Sequence, residues 1–306
     1  MYSDRTFIEL AYRFVDIDIP AYIDCVNYHK RLIQNQDIPE EIRYNLIMDK
    51  YDKAYNDSCY SVYEDILDAN LPPISSFSSP DMYSYAKTFQ DTSSALQDLL
   101  LDSISFFESA IDENIDELEG RIKNRDSEKV LFNKLLVQMK DGYYKALLSL
   151  DGKDPLKACD FLYNVLTRKY LEIEKFAEKE TRRLFHRVDY SKIINSFTAL
   201  ILIAKGPFEE VQYLCELNLK VNKNYLDFIF CLREALVQYM ELCDSKKKIY
   251  QFLKSKSENR NGDITQYNSL VQSSNILRDK YDKSINALLP QLKSLLDRVC
   301  GKRENI

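Results

Sequence analysis

A stretch of about 70 residues, 81–150, restricts the fold most, because it contains no proline and only two glycines. Apolar or small side chains recur there at intervals of about 3.7 residues, which is the period of an α-helix. One unbroken helix of this length would be roughly 100 Å long, far longer than a compact domain of this size is wide. The pattern therefore predicts a helical rod that buries its apolar stripe against a partner helix. The stripe consists of Phe89, Ser93, Leu96, Leu100, Ile104, Phe107, Ile111, Ile115, Leu118, Ile122, Phe132, Leu136, Met139, Tyr143, Leu147 and Leu150.

A second helical stripe follows after a short turn at residues 149–155. In this turn Gly152 can end one helix and Pro155 can begin the next. The second stripe runs at the same helical spacing through Cys159, Leu162, Leu166, Tyr170, Ile173, Ala177, Leu184, Val188, Ile194, Thr198 and Ile201. Because a short loop joins two long helices, the sequence predicts that they pack side by side and antiparallel.

After residues 206–207 a further apolar stripe predicts another helix, with Phe228, Leu232 and Leu236 among its core positions.

The composition of the whole chain is typical of an all-α protein. Six glycines and eight prolines in 306 residues are few, and no alternating β-branched runs between turn residues occur. We therefore predict an all-α, elongated antiparallel bundle of long helices with an additional C-terminal helix. Its predicted parts are an N-terminal amphipathic segment at 1–19, a helical domain at 20–260 with a tip loop at 149–155 and a kink near 206–207, and the C-terminal helix at 264–300.

The N-terminal segment allows two interpretations. Its apolar residues, among them Phe7 and Phe14, have helical spacing, so the segment could insert into a membrane or pack on the bundle. Helices that lie on membranes usually have a polar face rich in lysine and arginine. Here acidic residues outnumber Arg5 and Arg13, which favours packing.

Several classes of protein are disfavoured by what the sequence lacks. It has no apolar window of 18 residues and no secretory signal pattern, so a cytoplasmic protein is expected. Seven dispersed cysteines indicate reduced thiols rather than a disulfide framework. The formal net charge of −6 argues against nucleic acid as a partner.

Signals for catalysis are weak. Two histidines lie far apart in the sequence, and neither a Cys-x-x-Cys pair nor a glycine-rich phosphate loop is present. We therefore predict a protein that is not an enzyme and uses no cofactor and no metal.

The distribution of charge is more informative than its total. Residues 81–119 are strongly acidic, with Lys87 as the only base, whereas residues 120–153 and the helix that follows are rich in lysine and arginine. Two interpretations of these basic residues are about equally supported. Either they serve only solubility, as charges on exposed helices often do, or they bind an anionic surface. The candidate membrane-binding residues are Lys140, Lys145, Lys153, Lys157, Arg168 and Lys169 around the tip, followed by Lys175, Lys179, Arg182, Arg183 and Arg187.

The order of these elements resembles a BAR domain, in particular the BAR domains that precede PH domains in Arf-GTPase-activating proteins and related fungal proteins. The resemblance covers roughly residues 20–218 and consists of helical patterns rather than invariant motifs. The stretches that carry it are 19–22 (IPAY), 106–109 (FFES), 132–135 (FNKL), 143–150 (YYKALLSL), 167–170 (TRKY) and 192–197 (KIINSF).

The resemblance implies a crescent-shaped homodimer that binds curved, anionic phospholipid membranes through basic residues at its tips. It also implies small GTPases or trafficking proteins as further partners, and a cytoplasmic, peripherally membrane-associated location. The expected function is thus a non-enzymatic module that senses or induces membrane curvature. The alternative is a coiled-coil scaffold or tether that binds other proteins without contacting lipid.

Overall fold

The computed structural model describes residues 4–112, 115–181, 188–217, 221–259 and 263–299, and in these ranges it contains helices, turns and loops but no strand. This confirms the predicted all-α class. Short π-helical segments at Phe14–Asp18 and Leu162–Leu166 join neighbouring helices. The α-helices are α1 (Asp4–Arg13), α2 (Ile19–Ile33), α3 (Glu40–Asn56), α4 (Cys59–Val62), α5 (Glu64–Leu67), α6 (Pro80–Ile111), α7 (Ile115–Leu147), α8 (Pro155–Phe161), α9 (Thr167–Thr181), α10 (Tyr190–Glu216), α11 (Lys223–Asn259) and α12 (Ile264–Val299).

The chain divides into two compact units. The first unit contains α1–α7, and the second contains α8–α12. The division falls between Gly152 and Lys153, inside the turn that the sequence places at 149–155. Asp151 and Gly152 in this turn both have positive φ angles, of 51° and 70°, which end the preceding helical segment.

The predicted continuous rod is wrong, because the chain folds back on itself between α6 and α7. The ring of Tyr85 near the start of α6 lies 5.8 Å from the ring of Tyr143 near the end of α7. At the other end of the pair, the guanidinium of Arg125 lies 4.6 Å from the centroid of the Phe106 ring. The two helices are therefore antiparallel, and the partner of α7 in the first unit is α6.

The fold-back explains which parts of the apolar stripe are buried. Phe107 in α6 and Phe132 in α7 are almost completely buried, whereas Ile111 is only partly buried and Ile122 is 38% exposed. The stripe thus packs where the two helices lie side by side and loses burial near the turn. A periodic pattern without proline predicts that each segment is helical, but it does not reveal this reversal.

Helix α1 packs on the first unit, as the acidic bias of the N-terminal segment predicts. Phe7 and Phe14 are buried. The Asp4 carboxylate accepts a hydrogen bond from the Ser78 backbone N–H at 3.2 Å, and Arg5 forms an ion pair with Asp151 at 3.3 Å. The apolar face of α1 is therefore occupied by the protein's own core.

The second unit is built around α11. Its side chains at the predicted core positions are buried, including Phe228, Leu232 and Leu236. Helix α10 runs antiparallel to α11, since the Phe197 ring stacks on the Tyr250 ring at 5.9 Å while the Cys215 thiol lies near the Ile229 carbonyl.

Helix α12 packs along the other side of α11. The Ser245 hydroxyl donates to the Ser274 hydroxyl at 3.1 Å, and the rings of Tyr239 and Tyr281 lie 5.8 Å apart. The structure gives this helix as Ile264–Val299, as its sequence pattern predicts, and it continues through Pro290.

The predicted second stripe does not form one continuous helix, and the phase predicted for its second half is wrong. The π-helical segment Leu162–Leu166 interrupts it, and α10 begins anew at Tyr190, where Asp189 caps it by accepting the Lys192 N–H at 3.0 Å. Because α10 starts its own period, Ile193 is fully buried in place of the predicted Ile194. The helix passes through Pro207 without ending.

Replacing Tyr85 by phenylalanine is expected to stabilise the protein by about 1 kcal/mol. The Tyr85 side chain is buried, and its hydroxyl has no hydrogen-bond partner in the described part of the chain, so this polar group lost its water without compensation. Urea unfolding of the Tyr85→Phe variant measures the gain. The matched control is Tyr239→Phe, which should lose about 1 kcal/mol because the Tyr239 hydroxyl donates to the Leu166 carbonyl at 2.9 Å. Equal effects of the two substitutions would contradict this account.

Replacing Asp18 by asparagine is expected to raise stability at pH 7 by about 1 kcal/mol. Burial raises the pKa of the Asp18 carboxyl to about 6, against the hydrogen bond from the Cys59 N–H and the charge of Arg13. A raised native pKa means that this group stabilises the fold when protonated, and the contribution is lost as pH rises from about 4 to about 6. The expected gain in stability is smaller than the full pKa shift of Asp18 would allow, because the asparagine amide nitrogen must fit where a carboxylate oxygen lies in the wild type.

Unfolding curves of the wild type and of Asp18→Asn, recorded at about pH 4, 5, 6 and 7, measure the difference in their free energies of unfolding. The difference between the two should be largest at pH 7 and shrink toward acid. A difference that does not depend on pH would contradict the assignment of the pKa.

Candidate functional site

An exposed row of cations on α9 is the clearest candidate site. Arg168, Lys175 and Lys179 are exposed and, at 3.6 residues per turn, lie within about 40° of each other around the helix axis. The opposite face of α9 carries Tyr170 and Ala177, which are buried. Packing of these two side chains fixes which way the three cations point. We call Arg168, Lys175 and Lys179 the cationic stripe.

The acidic residues of α9 do not cancel this stripe evenly. The helix carries four bases and four acids, but Glu174 points toward the other helices of the second unit, with 15% of its side chain exposed. Its carboxylate pairs with Lys246 of α11 at 2.7 Å and Arg278 of α12 at 3.3 Å. Only Glu172 falls on the same face as the stripe.

The electrostatics of Glu174 show that it is held as a carboxylate. Burial alone would raise the pKa of its carboxyl, but hydrogen bonds and charge from Lys246, the Tyr170 hydroxyl at 3.0 Å and Arg278 outweigh burial and lower it. The group is thus a buried ion-pair centre that joins α9, α11 and α12.

The other basic residues predicted from the sequence are not gathered into the same row. Lys140 and Lys145 are exposed on α7 in the first unit, about 140° apart around its axis, so a flat surface cannot contact both directly. In the second unit Lys153 is half-buried, with its ammonium 5.8 Å from the Tyr213 ring centroid, and Lys157 is exposed on α8. Lys169 is exposed on α9 but lies about 100° from Arg168.

Three predicted residues, Arg182, Arg183 and Arg187, lie outside the described residues.

A second basic run, Lys246–Lys248, forms ion pairs with acidic side chains of the second unit. Lys246 binds Glu174, while Lys247 and Lys248 both bind Asp244, at 2.5 and 2.8 Å. Each of the three lysines therefore has an acidic partner within the second unit, while 60% of the Lys248 side chain stays exposed.

The cysteine thiols and the His29 imidazole in the described residues are poorly suited to nucleophilic or acid–base chemistry. Burial raises the pKa of Cys25 to about 11 and that of Cys59, Cys159 and Cys243 to about 12, so these thiols stay protonated at neutral pH. His29 is packed between the rings of Tyr51 and Phe107, and burial lowers its pKa. Among the described residues, no group of three or more histidine, cysteine or acidic side chains could hold a metal ion.

Sequence reasoning missed an exposed apolar strip on α10. Leu202 is 60% exposed and Ile203 is 40% exposed, and both directly follow Ile201, the last residue of the predicted second stripe. Ala199 and Gly206 are exposed on the same face. We call these four residues the α10 strip. The sequence signal that could have revealed this strip is an apolar run that covers every face of the helix, because a contact on one face cannot bury all of these residues.

Comparison with known proteins identifies no relatives: no protein-family model, curated protein or solved structure matches the chain. Within the described ranges, no helix combines the length and the apolar character needed to cross a bilayer.

Proposed function

We propose that the chain is a non-enzymatic, cytoplasmic helical module that attaches peripherally to anionic membranes, with the cationic stripe as its main contact. The observation that supports this is the alignment of Arg168, Lys175 and Lys179 on one exposed face of α9. A lysine or arginine near an anionic leaflet contributes about 1 kcal/mol, and screening limits this to residues within about 8–10 Å of the lipid. Three aligned cations can therefore act together, whereas scattered cations cannot.

The proposal includes the homodimer and the BAR-like crescent that the sequence resemblance implies. Because α6 and α7 are antiparallel, residues 81–150 do not form one rod of roughly 100 Å. The proposal of curvature sensing therefore rests on the sequence resemblance. The proposal of membrane binding rests on the cationic stripe. Small GTPases or trafficking proteins remain expected partners on the same ground.

A scaffold that binds proteins without touching lipid is the second candidate function. The exposure of Leu202 and Ile203 favours it, because adjacent exposed apolar residues on one helix face commonly mark a protein contact.

Co-sedimentation of the full chain with phosphatidylcholine vesicles, with and without phosphatidylserine, tests the proposal. Binding should require the anionic lipid and weaken as salt is raised from low to moderate concentration. Vesicles of several diameters test curvature sensing, since a rigid crescent favours one size range. Absence of binding to anionic vesicles at low salt would overturn the membrane proposal and favour the scaffold.

A further inference from the structure

The α10 strip has an arrangement that matches a second copy of itself. At 100° per residue, Ala199 and Gly206 lie within about 20° of each other and form the midline of the strip. Leu202 and Ile203 lie about 50° to either side of this midline. Small residues thus run down the middle, with one large apolar side chain on each flank.

The strip is also symmetric along the helix. Its midpoint falls between Leu202 and Ile203, and Ala199 and Gly206 are equally far from it. If a second α10 packs antiparallel about this midpoint, Ala199 of one copy lies opposite Gly206 of the other, which lets the helix backbones approach closely. A Cβ atom placed on Gly206 would meet nothing within 4 Å among the described residues, so none of these residues covers this point.

The same two-fold arrangement brings the flanking side chains together. Leu202 would contact Leu202 of the second copy on one side of the midline, and Ile203 would contact Ile203 on the other, as an isologous interface requires. Both side chains would exchange water for apolar contact.

Charges at the ends of the strip are complementary in this register. Lys192 and Glu210 both lie toward the Ile203 side of the midline. In the antiparallel pair, Lys192 of one copy falls about 4.5 Å along the axis from Glu210 of the other. The Lys192 ammonium lies 5.0 Å from the Phe176 ring centroid in its own chain, and the flexible stem allows it to reach either group.

We infer that the α10 strip is a self-association surface, at which two copies of the chain pair α10 antiparallel about the midpoint between Leu202 and Ile203. This inference deepens the homodimer part of the proposed function and does not depend on membrane binding. A single crossing of two helices buries less than the roughly 1,200 Å² of a standard interface, so we expect dissociation in the micromolar range.

Sedimentation velocity of the full chain over about 1–100 μM is the first measurement, with a monomer–dimer equilibrium expected. Leu202→Lys should weaken self-association by about tenfold or more, because it places a charge against its own symmetry mate. The matched control is Leu289→Lys on α12, where the leucine is 48% exposed and lies outside the strip. A wild type that is monomeric throughout would overturn both the homodimer and this surface. A dimer that resists Leu202→Lys would overturn the surface alone.

Disulfide trapping tests the register. A mixture of the Ala199→Cys and Gly206→Cys proteins should form a cross-linked heterodimer on mild oxidation, while Ala199→Cys alone should cross-link no more than the wild type. In the antiparallel pair the two copies of residue 199 lie about 10 Å apart along the axis, beyond the reach of a disulfide. Efficient self-cross-linking of Ala199→Cys would indicate a parallel pair and overturn the proposed register.

Discussion

Reversing the cationic stripe in the triple variant Arg168→Glu, Lys175→Glu, Lys179→Glu is expected to weaken binding to anionic vesicles by about 100-fold or more at low salt. Three cations that each contribute about 1 kcal/mol account for a loss of this size, and the introduced acids add repulsion. All three side chains are exposed, so the substitutions leave the core of the second unit untouched. Vesicle co-sedimentation measures the affinity, and circular dichroism verifies that the variant keeps its helical content.

The control for net charge is the triple variant Lys30→Glu, Lys87→Glu, Lys256→Glu. It changes the total charge by the same amount, but the three exposed lysines lie on α2, α6 and α11 and form no row. Its affinity should fall much less than that of the stripe variant. Equal losses in the two variants would show that binding follows overall charge, and the stripe would then not be the contact.

Replacing Glu174 by alanine is expected to destabilise the second unit by about 2–3 kcal/mol. The substitution removes the carboxylate that pairs with Lys246, and this lysine side chain is only 19% exposed, so water cannot fully replace the lost partner. It also removes the acceptor of the hydrogen bond from the Tyr170 hydroxyl. Breaking a buried pair by removing one member costs more than the pair contributes, because the remaining charge is left in a poorly solvated position. Urea unfolding followed by circular dichroism measures the loss.

The neighbouring acid Glu172 provides the matched control. It is exposed on the same helix, so Glu172→Ala should change stability by less than about 0.5 kcal/mol. A loss in Glu174→Ala no larger than that in Glu172→Ala would contradict the role of Glu174 as the centre of the ion pairs.

The pH dependence of the Glu174 effect follows from the direction of its pKa shift. The native pKa is lower than the ordinary value of 4.5, so the carboxylate contributes stability above that pH, and the contribution is lost as pH falls through the lowered pKa. Glu174→Gln should therefore lose less stability in acid than the wild type does. This trend is opposite to that expected for Asp18, whose pKa is raised.

Local sequence patterns were sufficient to predict much of the helical architecture. The 3.6-residue period identified the all-α class, the bounds of α12 and the buried positions of α11, such as Phe228 and Leu236. The acidic bias around α1 predicted its packing on the protein. These features depend on residues within a few turns of each other, so the chain itself carries the signal.

The candidate site was predictable only in part. The sequence indicated a basic region that includes Arg168, Lys175 and Lys179, but it ranked Lys140 and Lys145 together with Arg168 and placed Lys175 and Lys179 after them. Which bases form a row depends on the rotation of α9, which the burial of Tyr170 and Ala177 fixes. The inward turn of Glu174 likewise depends on Lys246 and Arg278, which are distant in sequence.

Tertiary structure alone determined where the long stripes are interrupted. The fold-back between α6 and α7 carries no proline, and α10 restarts its period at Tyr190, which shifts burial from Ile194 to Ile193. A helical pattern has nearly the same local energy whether the chain continues straight or reverses, because propensities differ by only a few tenths of a kcal/mol per residue. The choice is made by the apolar area buried when distant segments pack, as between Phe107 and Tyr51, whose rings lie 6.2 Å apart.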